Sequence, residues 1–398
     1  AARARVAEAR AALGVQDDAA GPRVSATAQG MRGRGDLSDP LATVGSAGLQ
    51  ASWVIDLWGG TQAGRREALA RVAAGQAGWH EARVGIAAEA ARQHAELRVC
   101  LRQQHLAEAD RDSRRVTAQA SVRAAEAGLL AEAAADLARG SAAEAGARAN
   151  RQAAACERRV KAGVALTALP EAVLRASVAP DSPAAAPGAL AGLARIDAVP
   201  ARVLRQRPDV VRAQAEWVAA AEGVGVARAA LRPGLSLSGS WLRNRVSASG
   251  VSLSGDTWTI GPLALQFPLI GRDGLRAAEQ AALARHDAAA QAYRAVLRQA
   301  VAEVEQSLIT LASVRENEAP VREAARGFAR SLEATEARHR VGLASLNELE
   351  EARRRHLDAQ GAVLAFELER LQAWIGLYLA LGGGYEPGAG IDDEKANP

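Results

Sequence analysis

The sequence predicts a mainly α-helical chain with a small β part, built as an internal twofold repeat. Three observations carry that reading. Ala, Arg, Glu and Leu recur at helical spacing over long stretches, while aromatic residues make up only 3% of 398 residues, too few for a thick globular core. Four stretches switch to period-two alternation, the mark of strands. Two of those stretches, with their flanks, resemble the other two at a nearly constant offset.

The elements follow in order. The chain is helical from its first residues (Ala1 to Leu13), so no signal peptide is visible. A first strand is expected at about 22–30, where Val24, Ala26 and Ala28 alternate with Ser25, Thr27 and Gln29. "MRGRGDLSDP" (Met31 to Pro40) reads as a loop. The second strand, about 48–58, sets Leu49, Ala51, Trp53, Ile55 and Leu57 against Gln50, Ser52 and Asp56. No proline lies between Pro40 and Pro170, and a helix from Gly60 to Gly140 would extend roughly 120 Å. "ARGSAAE" (Ala138 to Glu144) reads as a hairpin turn, with Arg139 and Gly140 ending one helix and Ser141 opening the next. A turn there faces Cys156 toward residue 124, so Cys100 and Cys156 are expected to be unbonded, and they leave the redox compartment undecided. A Pro/Ala-rich connector follows, Ala176 to Asp209.

The second half repeats the plan. Pro22 and Ser25 correspond to Pro233 and Ser236, and Glu67 to Glu279, an offset of about 211 to 212. Arg207-Pro208-Asp209 reads as a helix start, with Pro at the first helical position and an acid near the positive dipole end. The third strand, about 234–242, sets Leu235, Leu237, Gly239 and Trp241 against Ser236, Ser238 and Ser240. The stretch 243–256 reads as a loop. The fourth strand, about 257–269, runs from Trp258 through Leu263, Leu265 and Phe267 with a phase slip at Gly261-Pro262. Tyr293, Leu297, Ala300, Val304, Leu308 and Leu311 form the seam of the next helix, and Leu357, Leu364, Leu371 and Tyr378 a seven-residue repeat on the last. Between them lies a turn at Val341-Gly342-Leu343-Ala344-Ser345, and Gly382-Gly383-Gly384 stops the final helix. The repeats are therefore 1–198 and 199–387, with a tail at 388–398.

Composition excludes several classes. A net charge of +4 with interspersed signs and no basic–aromatic stripe argues against nucleic acid. No 18-residue apolar run offers a transmembrane helix. The six His are scattered, with His80 and His94 unable to form a ligand pair, so no metal or other cofactor is expected; no nucleophile–base constellation or phosphate loop suggests an enzyme.

The two-faced strands carry the function. The seams of the long helices are already used, so nothing remains to cover four apolar strand faces, whereas serine opposite them suits a watery lumen. An open four-stranded sheet would leave unpaired edges in lipid, so a membrane reading requires several copies, eight strands from two or twelve from three.

The stretch "VPARVLRQRPDVVRAQAEWVAAAEGVGVARAALRPGLSLSGSW" resembles the signature of outer-membrane factors, the TolC-like exit ducts of tripartite efflux pumps, and most of all their nodulation-type lipoprotein branch. Arg207-Pro208-Asp209, Glu216, Gly225-Val226-Ala227, Pro233 and Leu235-Ser236-Leu237 fit it; "ASWVIDLWGG" and "RVGLASLNELEEARR" are similar to the family's second strand and second hairpin tip. The resemblance implies a long α-helical barrel, and four strands per chain contributing to a trimeric 12-stranded transmembrane β-barrel in the bacterial outer membrane. Its membrane strands would carry Trp53, Ile55, Leu57, Leu235, Leu237, Trp241, Trp258, Leu265 and Phe267. Turns at Arg139-Gly140-Ser141 and Val341 to Ser345 would dock a periplasmic adaptor linked to an inner-membrane pump. Glu348, Glu350 and Glu351, with Arg338 and Arg340, are pore or gate candidates. The branch's segment before the first helix, with its lipidated Cys, is expected to be missing here. A coiled-coil scaffold and a periplasmic adaptor are the alternatives.

Overall fold

The computed structural model describes residues 1–34, 36, 41–179 and 201–385. The expected order appears in each half: α1 (Ala2–Ala20), β1 (Arg23–Gly33), β2 (Ala42–Ile55), α2 (Gly60–Glu126), α3 (Glu132–Thr167) and α4 (Glu171–Ser177), then α5 (Pro208–Ala229), β3 (Gly234–Ala248), β4 (Val251–Gln266), α6 (Asp273–Arg340) and α7 (Leu346–Ala380). Half of the first expected loop, much of the connector and the tail lie outside the described residues, and Met31, Arg32 and Gly33 of that loop belong to β1.

Two compact units form, and they are not the two sequence repeats. One holds α1, the four strands, α5 and the adjoining parts of α2 and α6; the other holds the remainder of those two helices with α3, α4 and α7. In the first unit the strands make one antiparallel sheet in the order β1-β2-β3-β4, which leaves β1 and β4 as unpaired edges.

The strands run further than the alternation suggests. Residues 243–256, expected as a loop, are mostly strand, closed by a tight turn at Ser249 and Gly250 with φ of 51° and 83°. Two consecutive positive φ angles give a hairpin turn whose twist suits the flanking strands. Leu57 and Phe267 lie just past the ends of β2 and β4 rather than within them. The phase slip is present as a register shift between Leu237 and Gly239, opposite Gly261-Pro262.

The second unit has small-residue seams. Of the seam expected on α6, Ala300, Val304 and Leu311 are buried and Tyr293, Leu297 and Leu308 half-buried, and Val314 extends it. On α7 the buried heptad is Ala359, Phe366, Ala373 and Ala380; of the expected stripe only Leu364 is buried, and Tyr378 is exposed. Three of the four buried heptad residues are Ala, whose small side chain lets helix axes approach. Leu311, Val314, Phe366 and Leu377 form one core cluster; Leu97, Val160, Leu174 and Val178 form another.

Cys100 and Cys156 are joined by a disulfide between α2 and α3, contrary to expectation. The misplacement of the turn is the cause. α2 ends at Glu126 and α3 starts at Glu132, so the helices reverse about residue 128, and Cys156 faces Cys100. Gly140 lies inside α3.

Candidate functional site

Cross-strand pairing sorts the sheet into two faces. One carries the rows Ile55–Leu235–Leu265, Trp53–Leu237–Leu263, Val24–Ala51–Gly239–Ile260 and Ala26–Leu49–Trp241–Trp258. These are large apolar groups standing in the open: Trp258 is 71% and Ile260 84% exposed. The other face carries Ser25, Thr27, Gln50, Ser52, Ser238, Ser240 and Thr259, with Ser240 and Thr259 hydrogen-bonded across strands at 2.9 Å. Toward the hairpin ends the polarity inverts. The hydroxyl face ends in the apolar row Met31–Val44–Val246–Leu253, and the apolar face in Arg243, Arg245 and Asp256.

Aromatic residues mark both limits of the apolar band. At the helix end Trp58 donates to the Pro233 carbonyl at 2.8 Å with Arg232 over its ring, Trp53 donates to the Ala20 carbonyl at 3.2 Å, and Arg272 covers Phe267. Toward the hairpins stand Trp241 and Trp258. From Phe267 to Trp258 the chain rises roughly 30 Å. At a barrel strand's tilt that is about 23 Å along the axis, close to the height of an outer-membrane apolar band.

The helical unit carries two short turns. After α6, Gly342 (φ 77°) lets the Leu343 N–H reach the Arg338 carbonyl at 2.8 Å and the Gly342 N–H the His339 carbonyl at 3.0 Å, a Schellman closure. Ser345 then caps α7 in a capping box. Its hydroxyl accepts from the Glu348 N–H at 3.2 Å, and the Glu348 carboxylate accepts from the Ser345 N–H at 2.7 Å and from Arg338 at 3.1 Å. Those bonds, the Ser345 N–H first, its hydroxyl second and Arg338 after them, hold the Glu348 carboxyl below its ordinary range. Val341 and Leu343 are exposed, whereas Ala344 is buried. After α2, Gly128 (φ 72°) makes the same closure, Leu129 to Ala124 at 2.8 Å and Gly128 to Ala125 at 2.9 Å. Here Ala131 provides no side-chain cap, and Leu129 is 82% exposed.

This replaces the expected first turn. Gly140 is helical, Arg139 pairs with Asp136 on its own helix at 2.6 Å, and the Ser141 hydroxyl turns inward. The offset from the repeat, carried on to Gly342, points near residue 130 and would have found the right place.

Ser141 belongs to a buried polar cluster. Arg114 on α2 donates to both Asp110 oxygens at 2.9 and 3.0 Å, to Ser141 Oγ at 2.6 Å and to Glu350 Oε2 on α7 at 2.5 Å. Ser141 donates to the same Glu350 oxygen at 2.6 Å, and Arg353 bridges Glu350 and Thr117 at 3.1 and 2.7 Å. Arg114, Asp110 and Glu350 side chains are all under a tenth exposed. Glu350 thus ties three helices together within one chain. Glu348 and Glu351 remain partly exposed, Glu351 paired with Arg354 and Arg355 at 3.1 and 2.8 Å. The Arg340 Nε donates weakly to the Glu336 carbonyl at 3.4 Å.

The model of outer membrane efflux proteins matches residues 1–170 and 199–383. The chain belongs to that family. It is 29% identical over 350 residues to the pyoverdine export outer membrane protein OpmQ of Pseudomonas aeruginosa, covering 86% of this chain and 70% of that protein. Nodulation protein T of Rhizobium leguminosarum bv. trifolii is 28% identical over 194 residues, 48% of this chain and 40% of that protein. In fold it is similar to the Campylobacter jejuni CmeC outer membrane channel, with a TM-score of 0.87 over 99% of this chain and 84% of that one at 21% identity. As an outer membrane efflux protein it is a channel of the bacterial outer membrane with its helical part in the periplasm. An exposed apolar face opposite a hydroxyl-bearing one suits a wall between lipid and a watery lumen. A disulfide between α2 and α3 suits the oxidising periplasm.

Proposed function

We propose that three copies close a twelve-stranded barrel, each β4 edge pairing with the β1 edge of the next chain, and that substrates pass passively through the common lumen. The observation that carries this is the pair of unpaired edges flanking an exposed apolar band of membrane height. Open edges in hydrocarbon cost several kcal/mol per unsatisfied group, and four strands cannot close alone. Nothing is hydrolysed and no cofactor takes part; an inner-membrane pump drives the cargo and an adaptor couples it to the duct.

The adaptor docks on the turns at 127–131 and 341–345, where Leu129, Val341 and Leu343 stand exposed on rigidly closed backbones. Of the acidic gate candidates, Glu348 and Glu351 keep the exposure a pore-lining or latching group requires, with Arg338 as a partner; Glu350 acts within the protomer. The structural repeats are 1–198 and 199–387.

The test is the mass of the particle extracted from outer membranes in detergent. Three chains, after subtraction of detergent, is the expected result; a monomer or a dimer of correctly exported protein would sink the twelve-stranded duct.

A further inference from the structure

The lipid-facing side of the sheet holds a feature that conduction does not use. Two and four residues beyond the Trp241–Trp258 row, on the same face, two cross-strand rows set an arginine on β3 beside the smallest residues on β2 and β1: Arg243–Ala47–Ala28 and Arg245–Gly45–Gly30. A groove of about 630 Å³ opens over this Gly/Ala floor, bordered by Arg243, Arg245 and Ser254 and reaching Gln29, Ser46 and Asn244 of the intervening row. Arg243 meets Asp256 only at 3.5 Å, with its side chain 69% exposed, and Arg245 has no acidic partner among the described residues.

Level and chemistry agree on an occupant. The band from Phe267 to Trp258 fills the hydrocarbon thickness, so the groove opens at the headgroup level of the outer leaflet. Two guanidinium groups over a floor of Gly and Ala can take a phosphate through charge-assisted, bidentate bonds. Directly beneath, Leu49 and Trp241 supply an apolar wall along which an acyl chain can run. The geometry points to a binding site for a phosphorylated lipid of the outer leaflet, its phosphate between Arg243 and Arg245 and its chain against Leu49 and Trp241. A free phosphate ion would share the arginines but gain nothing from the wall. The inference rests on the lipid-facing reading of this side of the sheet.

Native mass spectrometry of the full chain in detergent tests it, with diphosphoryl lipid A, the same lipid stripped of phosphate, and inorganic phosphate as separate probes. The diphosphoryl form is expected to bind at least about tenfold more tightly than the stripped form and than inorganic phosphate. Arg243→Gln with Arg245→Gln should erase that preference. Gly45→Leu, which fills the floor and leaves both charges, should weaken the diphosphoryl form as well. Equal binding of the two lipids, or a preference that survives the double substitution, overturns the site. Inorganic phosphate binding as tightly as the lipid overturns the lipid in favour of a free anion. A particle that carries no detergent would overturn the membrane reading itself, an outcome seen before any titration.

Discussion

The two periplasmic turns reach the same backbone geometry by different means. Both close with a Schellman motif on a positive-φ glycine, Gly128 or Gly342. The second is then fixed by its own side chains, through the Ser345 capping box and the Arg338–Glu348 pair. The first has only Ala131 at the corresponding place. What holds the first hairpin sits in its shaft: the Cys100–Cys156 disulfide and the Arg114 cluster, which clamps α2 and α3 and reaches α7 through Glu350. One turn is held locally, the other by tertiary ties.

Breaking the shaft should produce the largest effects. Glu350→Ala leaves Arg114 buried without one of its carboxylate partners, and removing one member of a buried pair typically costs about 3–5 kcal/mol. Glu350→Gln, which keeps hydrogen-bonding atoms, should cost less. Thermal unfolding of the extracted protein measures both, and a Glu350→Ala protein as stable as wild type would remove the cluster from this account. Cys100→Ala with Cys156→Ala opens a crosslink of sequence separation 56, for which about 2–4 kcal/mol is expected. The same loss should follow reduction of the wild type. Hydrogen exchange should show it around Gly128 and not around Gly342.

The same division decides what the sequence makes legible. Helices, strands and repeat follow from periodicity, and the second turn from a local string, Val341 to Ser345 followed by Glu348, in which stop, cap and dipole partner stand together. The first turn has Gly128 but no polar cap in an Ala-rich stretch, while "ARGSAAE" offers Arg, Gly and Ser at tempting spacing inside a helix. There tertiary contacts override local propensity: Ser141 is occupied by Arg114 and Glu350, far away in sequence. Glu350 shows the same limit. Beside Glu348 and Glu351 in the sequence it reads as one of three exposed acids, and only helix packing separates it from them. The strand ends were illegible for another reason. Past Trp241 the apolar and polar positions exchange faces, so a pattern sought on one face ends early.

Exchanging caps sharpens the comparison at a smaller scale. Ser345→Ala should cost about 1 kcal/mol, and Ala131→Ser should return up to about that amount to the first turn. Protection of the amides just inside α7 and α3 measures each change. If Ala131→Ser leaves α3 unchanged, its start is already fixed by the shaft and capping adds nothing there.

The smallest effect separates the turns by pH. The Glu348 carboxyl is held below its ordinary value by the Ser345 N–H, the Ser345 hydroxyl and Arg338. A carboxyl depressed in the folded state contributes stability that is complete above its unfolded pKa and is lost as pH falls through the folded one. Protection at the second turn should therefore fall on acidification below the ordinary carboxylate range, through a carboxylate cap that the first turn lacks. Ser345→Ala removes the hydroxyl but keeps the backbone N–H that Glu348 accepts, so it should lower protection at every pH while retaining most of the acid-dependent part. Glu348→Gln should abolish the acid dependence altogether. A second turn whose protection ignores pH in the wild type would show that the backbone closure on Gly342, rather than the charge beside it, sets the stability of this turn.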